Sequence, residues 1–205
     1  MDNAVALVQA YLRVNGYFTV SEFPVLERIR AGGTRTVTDL DILGFRFPYA
    51  GRLMTGRDTT ATEEGPFGTD PALGAPPGHA DMVIGEVKEG AAELNRAARD
   101  PDVLEVVLGR FGCCPASSAR FMAQELVRSG RARAPSGHSV RLVAFGTADA
   151  VSWNNGYLVI PLAHVVSFVR DHIREHWDVL RHVQPKDTAF GFLTLLEKTR
   201  SLPPH

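Results

Sequence analysis

Lysine is scarce in this sequence: three lysines stand against nineteen arginines. The formal net charge is −1, so the chain as a whole has no pull toward nucleic acid or an anionic membrane. Any surface that grips a polyanion must be a local patch built mostly of arginine. Cysteine is nearly missing. The only two, Cys113 and Cys114, are adjacent, which rules out a disulfide framework and disfavours a bridge between them. Two cysteines also cannot complete a zinc site alone. A reducing cytoplasm is the expected setting. No apolar run approaches membrane-spanning length. The first residues lack the charged and apolar regions of a secretory leader, so none is expected. There is no internal repeat and no low-complexity tract. The 205 residues suit one domain with a sizeable core.

Periodicity supplies the elements. Residues 2–15 carry Val5, Val8 and Leu12 at helical spacing, and Asn15-Gly16 closes that helix. A strand starts at Tyr17 to Val20 and extends toward Pro24 and Val25. Ala31 to Thr34 is a turn. A long strand follows at about 35–47 and another at 81–89. Between them, residues 51–79 are rich in Gly, Pro, Thr and acid, and read as a long loop or insertion bordering whatever site the two strands carry. Residues 91–99 look helical. Asp100-Pro101 restarts a helix as cap and first position. A further helix runs from Pro115 to Arg128 and stops near Gly130. Strands are expected at 140–146 and 157–161, with turn chemistry at 154–156 between them. A long helix covers about 162–183, and a last short one 188–198. This order predicts an α/β domain with a mixed sheet flanked by helices on both faces.

The scarce lysine has one informative occurrence. Lys88 ends the apolar run Asp81-Met-Val-Ile-Gly-Glu86-Val-Lys88. Strand alternation puts Glu86 and Lys88 on one face. The preceding strand, Thr36-Val-Thr-Asp39-Leu-Asp41-Ile-Leu43, carries acids at the same two-residue spacing. Carboxylates on adjacent strands offer hard oxygen ligands to Mg²⁺ or Mn²⁺, and a nearby lysine orients water as the ammonium or deprotonates it as the neutral amine. That is the equipment for hydrolysing a phosphodiester. Asp41, Glu86 and Lys88 are expected to converge at one solvent-accessible edge of the sheet.

Those residues resemble the PD-(D/E)xK nuclease superfamily, with its restriction-endonuclease-like fold. The resemblance comprises the helix Ala4 to Asn15 leading into a strand at Gly16-Tyr-Phe, the strand Thr38-Asp-Leu-Asp41-Ile-Leu, and the strand Ile84-Gly-Glu86-Val-Lys88. A helix containing Glu93-Leu-Asn95 is expected to follow. It implies that Asp41 and Glu86 are metal ligands with the Val87 carbonyl as a third, and that Lys88 is the catalytic lysine. The chain departs from the pattern in having no Pro before the acid. Asp41 is preferred over Asp39 because Ile42-Leu43 follows it. The family often adds a Glu from the first helix, but residues 4–15 hold no acid. Glu22 and Glu27 are candidate substitutes. Asp81 is a further candidate, although alternation puts it on the opposite face from Glu86. The implied activity is a Mg²⁺- or Mn²⁺-dependent nuclease of nucleic acid, with DNA the expected substrate and a dimer one compatible assembly. The alternative is a non-catalytic nucleic-acid- or protein-binding module on the same fold.

Other patterns have plainer readings. His172-Ile-Arg-Glu175-His176 matches H-x-x-E-H, a zinc-peptidase arrangement. The same residues serve as the solvated side of an amphipathic helix, which is the preferred reading, with both histidines exposed. The two helices between Val103 and Gly130 fit a helix-turn-helix, with Arg120, Gln124 and Arg128 facing nucleic acid. Two helices packed on a sheet have the same pattern. Arg131-Ala-Arg133 reads as a solvated basic loop, and Trp153 as an aromatic packed at a turn.

Overall fold

The computed structural model describes residues 2–28, 32–50, 69–154 and 156–200. Helix α1 (Asn3–Val14) is capped by the Asp2 carboxylate, which accepts the Ala4 N–H at 3.0 Å. It leads into an antiparallel meander of β1 (Phe18–Arg28), β2 (Thr34–Arg46) and β3 (Asp81–Ala91). Helices α2 (Pro101–Phe111) and α3 (Ala116–Ser129) follow, then β4 (Arg131–Arg133) and β5 (Ser139–Thr147). The hairpin β6 (Ser152–Asn154) and β7 (Tyr157–Pro161) precedes α4 (Leu162–Glu175), α5 (Trp177–Leu180) and α6 (Thr188–Arg200). The sheet order is β1-β2-β3-β5-β7-β6, with β4 also paired to β5. β5 runs parallel to β3 and to β7. The protein is thus α/β, with a mixed seven-stranded sheet flanked by helices.

Alternation along the strands divides the core into two layers. Leu43, Met82, Ile84, Val140, Leu142 and Ala144 pack against Val103, Leu104, Val107 and Leu108 of α2 and Met122 and Leu126 of α3. Ile42, Val83, Val87, Val143 and Phe145 face the other way, onto Val5, Val8 and Leu12 of α1 and Val165, Val169 and Ile173 of α4. A helical layer therefore covers each face of the central strands, which explains their near-continuous apolar runs. At Gly85 an added Cβ would lie 2.7 Å from Ile42 Cγ2 and 3.3 Å from Phe145, so these two side chains occupy the space that a larger residue would need.

The structure corrects several expectations. Residues 91–99 do not form a helix. β3 runs to Ala91, the Ala92 N–H pairs with the Thr147 carbonyl at 3.0 Å, and only Ala97–Arg99 make a 3₁₀ turn. The long helix expected over 162–183 breaks at His176, whose φ of −106° and ψ of 28° lie outside the helix. The break lets Trp177 and Leu180 fold onto the α1–α4 core. Arg131 to Arg133 is a strand rather than a loop. A short strand not expected from the sequence, β6, precedes β7 and pairs with it antiparallel, Asn154 opposite Tyr157. Of the expected loop at 51–79, residues 51–68 lie outside the described residues. In the remainder, Pro71–Leu73 form a 3₁₀ turn and Leu73 is fully buried against the α1–α4 core, so this part contributes to packing.

Candidate active site on strands β2 and β3

Strand register brings the acids together. Leu43 pairs with Ile84, and the β2–β3 ladder ends at Ile42 and Gly85. One step further along each strand stand Asp41 and Glu86; Glu86 shares the face of Met82 and Ile84, and Asp41 is close enough for its charge to act on Glu86. Here the Asp41 carboxylate replaces the backbone ladder: its Oδ2 accepts the Val87 N–H at 2.7 Å. Glu86 Oε1 accepts a hydrogen bond from Asn95 Nδ2 at 2.6 Å. Lys88 Nζ stands 3.7 Å from the same oxygen. β3 pairs with β5 through Val87 and resumes at Ala91, so Lys88 lies where β3 is released from β5.

Glu86 is only 4% exposed, so the cluster is less open than a solvent-accessible sheet edge. Its Oε2 is buried without a hydrogen-bond partner. Burial, and then the charge of Asp41, push the Glu86 carboxyl up to about 7, against the opposing pull of Lys88 and Asn95. Asp41 is also raised, chiefly by burial. The Val87 N–H and Lys88 oppose that rise, while Asp2 and Glu22 add to it.

A buried acid and a half-buried one in mutual repulsion, with an unpartnered buried oxygen, suit a hard divalent cation. Its charge would relieve the repulsion and its coordination would satisfy Oε2. Among the described residues, no group of three or more His, Cys, Asp and Glu side chains is placed to hold a metal ion. The Asp41–Glu86 pair would therefore need further oxygens from the Val87 carbonyl, water or a substrate phosphate, a ligand mixture Mg²⁺ accepts.

The other sequence candidates fall in different places. Asp39 is exposed on β2, opposite Pro24. Glu22 lies in β1 with a left-handed φ of 53°, close enough to act on Asp41. The side chain of Glu27 lies outside the described residues. Asp81 is fully buried in an ion pair with Arg141 at 2.6 Å and also accepts from the Tyr17 hydroxyl at 2.6 Å. It belongs to a separate network. On α3, Arg120 is held by Asp102 and Glu105 of α2, and Arg128 by Glu125, while Gln124 is exposed. His172 and His176 are half-buried rather than exposed, with ring centroids 4.6 Å apart. Burial, and then His176, lower His172 to about 4. Cys113 and Cys114 are unbridged thiols, and burial with its neighbour pushes Cys113 up to about 12. Trp153 is exposed, with the Arg131 guanidinium 4.3 Å over its ring.

Sequence reasoning missed the polar network beneath α1. Asp70, nearly fully buried, accepts from the Tyr11 hydroxyl at 2.6 Å and lies 2.7 Å from His164 Nε2, and its N–H donates to Asn15 Oδ1 at 2.7 Å. Arg141 also donates to the Leu73 carbonyl, and Arg46 to the Asn15 carbonyl at 3.1 Å and to the Thr69 hydroxyl at 3.2 Å. These bonds tie residues 69–73 to α1, β2 and β5. The one available signal was Asp70-Pro71, a cap-and-proline pair inside the presumed loop.

Among the described residues no helix is long and apolar enough to cross a membrane. Comparison with protein-family models, characterised proteins and solved structures gives no match for this chain.

Proposed function

We propose that this protein is a Mg²⁺- or Mn²⁺-dependent nuclease of the restriction-endonuclease-like class, acting on DNA. The observation that carries the reading is the buried Glu86 Oε2, an unpartnered carboxylate oxygen beside Asp41 with the Lys88 ammonium close by. The order of helix, strand, Asp strand and Glu-x-Lys strand agrees with the resemblance drawn from the sequence.

In this reading Asp41 and Glu86 hold the cation, with the Val87 carbonyl beside them. The cation, when bound, supplies Lewis acidity at the scissile phosphate. Asp41 also fixes the β3 backbone through its bond to Val87, which keeps Glu86 and Lys88 in register with it. Lys88 Nζ orients the attacking water, and its charge faces the phosphate oxygens as negative charge builds on them.

Cleavage of plasmid and of single- and double-stranded oligonucleotides of DNA and RNA, with Mg²⁺ or Mn²⁺, tests the proposal. Metal-dependent cleavage of DNA lost on Lys88→Ala supports it. Nucleic-acid binding without cleavage on any substrate moves the assignment to a binding module.

A further inference from the structure

The two oxygens of Glu86 have unequal surroundings. Oε1 carries both the Asn95 hydrogen bond, at 2.6 Å, and the Lys88 approach, at 3.7 Å. Oε2 is buried and has no partner. A buried acceptor left unsatisfied is costly, and native structures keep such groups for a reason. Something must hold the carboxylate so that its contacts fall on one oxygen and leave the other bare.

Asn95 is that group. Its Oδ1 accepts the Ala98 N–H at 2.7 Å, at the start of the 3₁₀ turn Ala97–Arg99. This bond assigns the amide orientation: the oxygen must face Ala98, so Nδ2 must face Glu86. The turn packs against α2 and β2, so Asn95 is anchored to the layer that covers this face of the sheet. Asn95 is half-buried, and both ends of its amide are committed.

We propose that Asn95 is a positioning residue that holds Glu86 Oε1 and thereby presents Oε2 to the divalent cation. The inference rests on the nuclease reading of the Asp41–Glu86 pair. It assigns Asn95 the task that outer-shell partners of metal-ligating carboxylates perform, whose loss costs about 10–100-fold in metal affinity or activity.

Two variants separate this task from turn capping. Asn95→Ser keeps an oxygen able to accept the Ala98 N–H but is too short to reach Glu86. Asn95→Ala removes both bonds. Titration calorimetry of the full chain with Mn²⁺ alone, paired with thermal melts, reads the two effects independently. Both variants are expected to bind Mn²⁺ about 10–100-fold more weakly than wild type, with Asn95→Ala melting lower than Asn95→Ser. Wild-type affinity in either variant overturns the inference and leaves the nuclease reading standing. A wild-type chain that binds no Mn²⁺ overturns both.

Discussion

The Asp41 carboxylate accepts the Val87 N–H at 2.7 Å, tying the end of the β2–β3 ladder to the residue that separates Glu86 from Lys88. One side chain thus has two tasks, a structural bond through Oδ2 and a share of the site's negative charge. Asp41→Asn keeps an acceptor for Val87 while removing the charge. Asp41→Ala leaves the N–H unpaired. We expect Asp41→Asn to unfold near the wild-type denaturant midpoint, and Asp41→Ala to lose about 1–3 kcal/mol. Equal midpoints for the two variants would show that the bond contributes nothing to stability.

Glu86 makes the metal-free fold sensitive to pH. Its carboxyl is raised from 4.5 to about 7 in the folded chain. Between these values the folded state keeps a proton that the unfolded state has released, so this group's contribution to stability falls as pH rises through that window. Glu86→Gln keeps a neutral acceptor for Asn95 at every pH. It should melt close to wild type at pH 4 and above it at pH 8, with the gap opening between them. A gap of constant size from pH 4 to pH 8 would contradict the shift.

Gly85→Ala tests the side-chain packing beside the two site strands. The new Cβ would meet Ile42 Cγ2 at 2.7 Å and Phe145 at 3.3 Å, inside a packed core. Overpacking of this kind costs about 1–3 kcal/mol. Because Ile42 and Gly85 form the last β2–β3 pair before Asp41 and Glu86, Mn²⁺ affinity should weaken along with stability. Urea unfolding and calorimetry on the same preparation check both.

Arg141 and Asp81 form a buried pair away from the site. Truncating one member strands the other charge, which costs about 3–5 kcal/mol. Asp81→Ala should therefore lower the urea midpoint sharply. Any folded fraction should keep wild-type Mn²⁺ affinity, which separates Asp81 from the metal-ligand candidates.

The contrast between Glu86 and Asp81 shows what the sequence made legible. Strand alternation put Glu86 and Lys88 on one face of β3 and Asp81 on the other, because the two-residue period is a local property of the chain. Asp41 was legible only with the order of the motif in the family it resembles, and the β2–β3 register brings it beside them. The α/β class followed from the order of apolar patterns. Partnerships across the sheet were not visible. Nothing near Asp70 in sequence points to Tyr11 or His164, which reach it from α1 and α4. Asn95 lay in a segment of good helix formers. There the bond from the Ala92 N–H to Thr147 and the bond from the Ala98 N–H to Asn95 overrode local propensity. The half-buried state of His172 depends in part on Phe190, whose ring centroid is 6.4 Å away, a contact that the period of α4 alone does not contain.

The most direct test of the central claim is cleavage of a DNA panel by wild type, Glu86→Gln and Lys88→Ala, with Mn²⁺ supplied or chelated. The account predicts cleavage by wild type only with Mn²⁺, and loss of cleavage in both variants while their folding is retained. Cleavage that survives Glu86→Gln, or that persists under chelation, would contradict it.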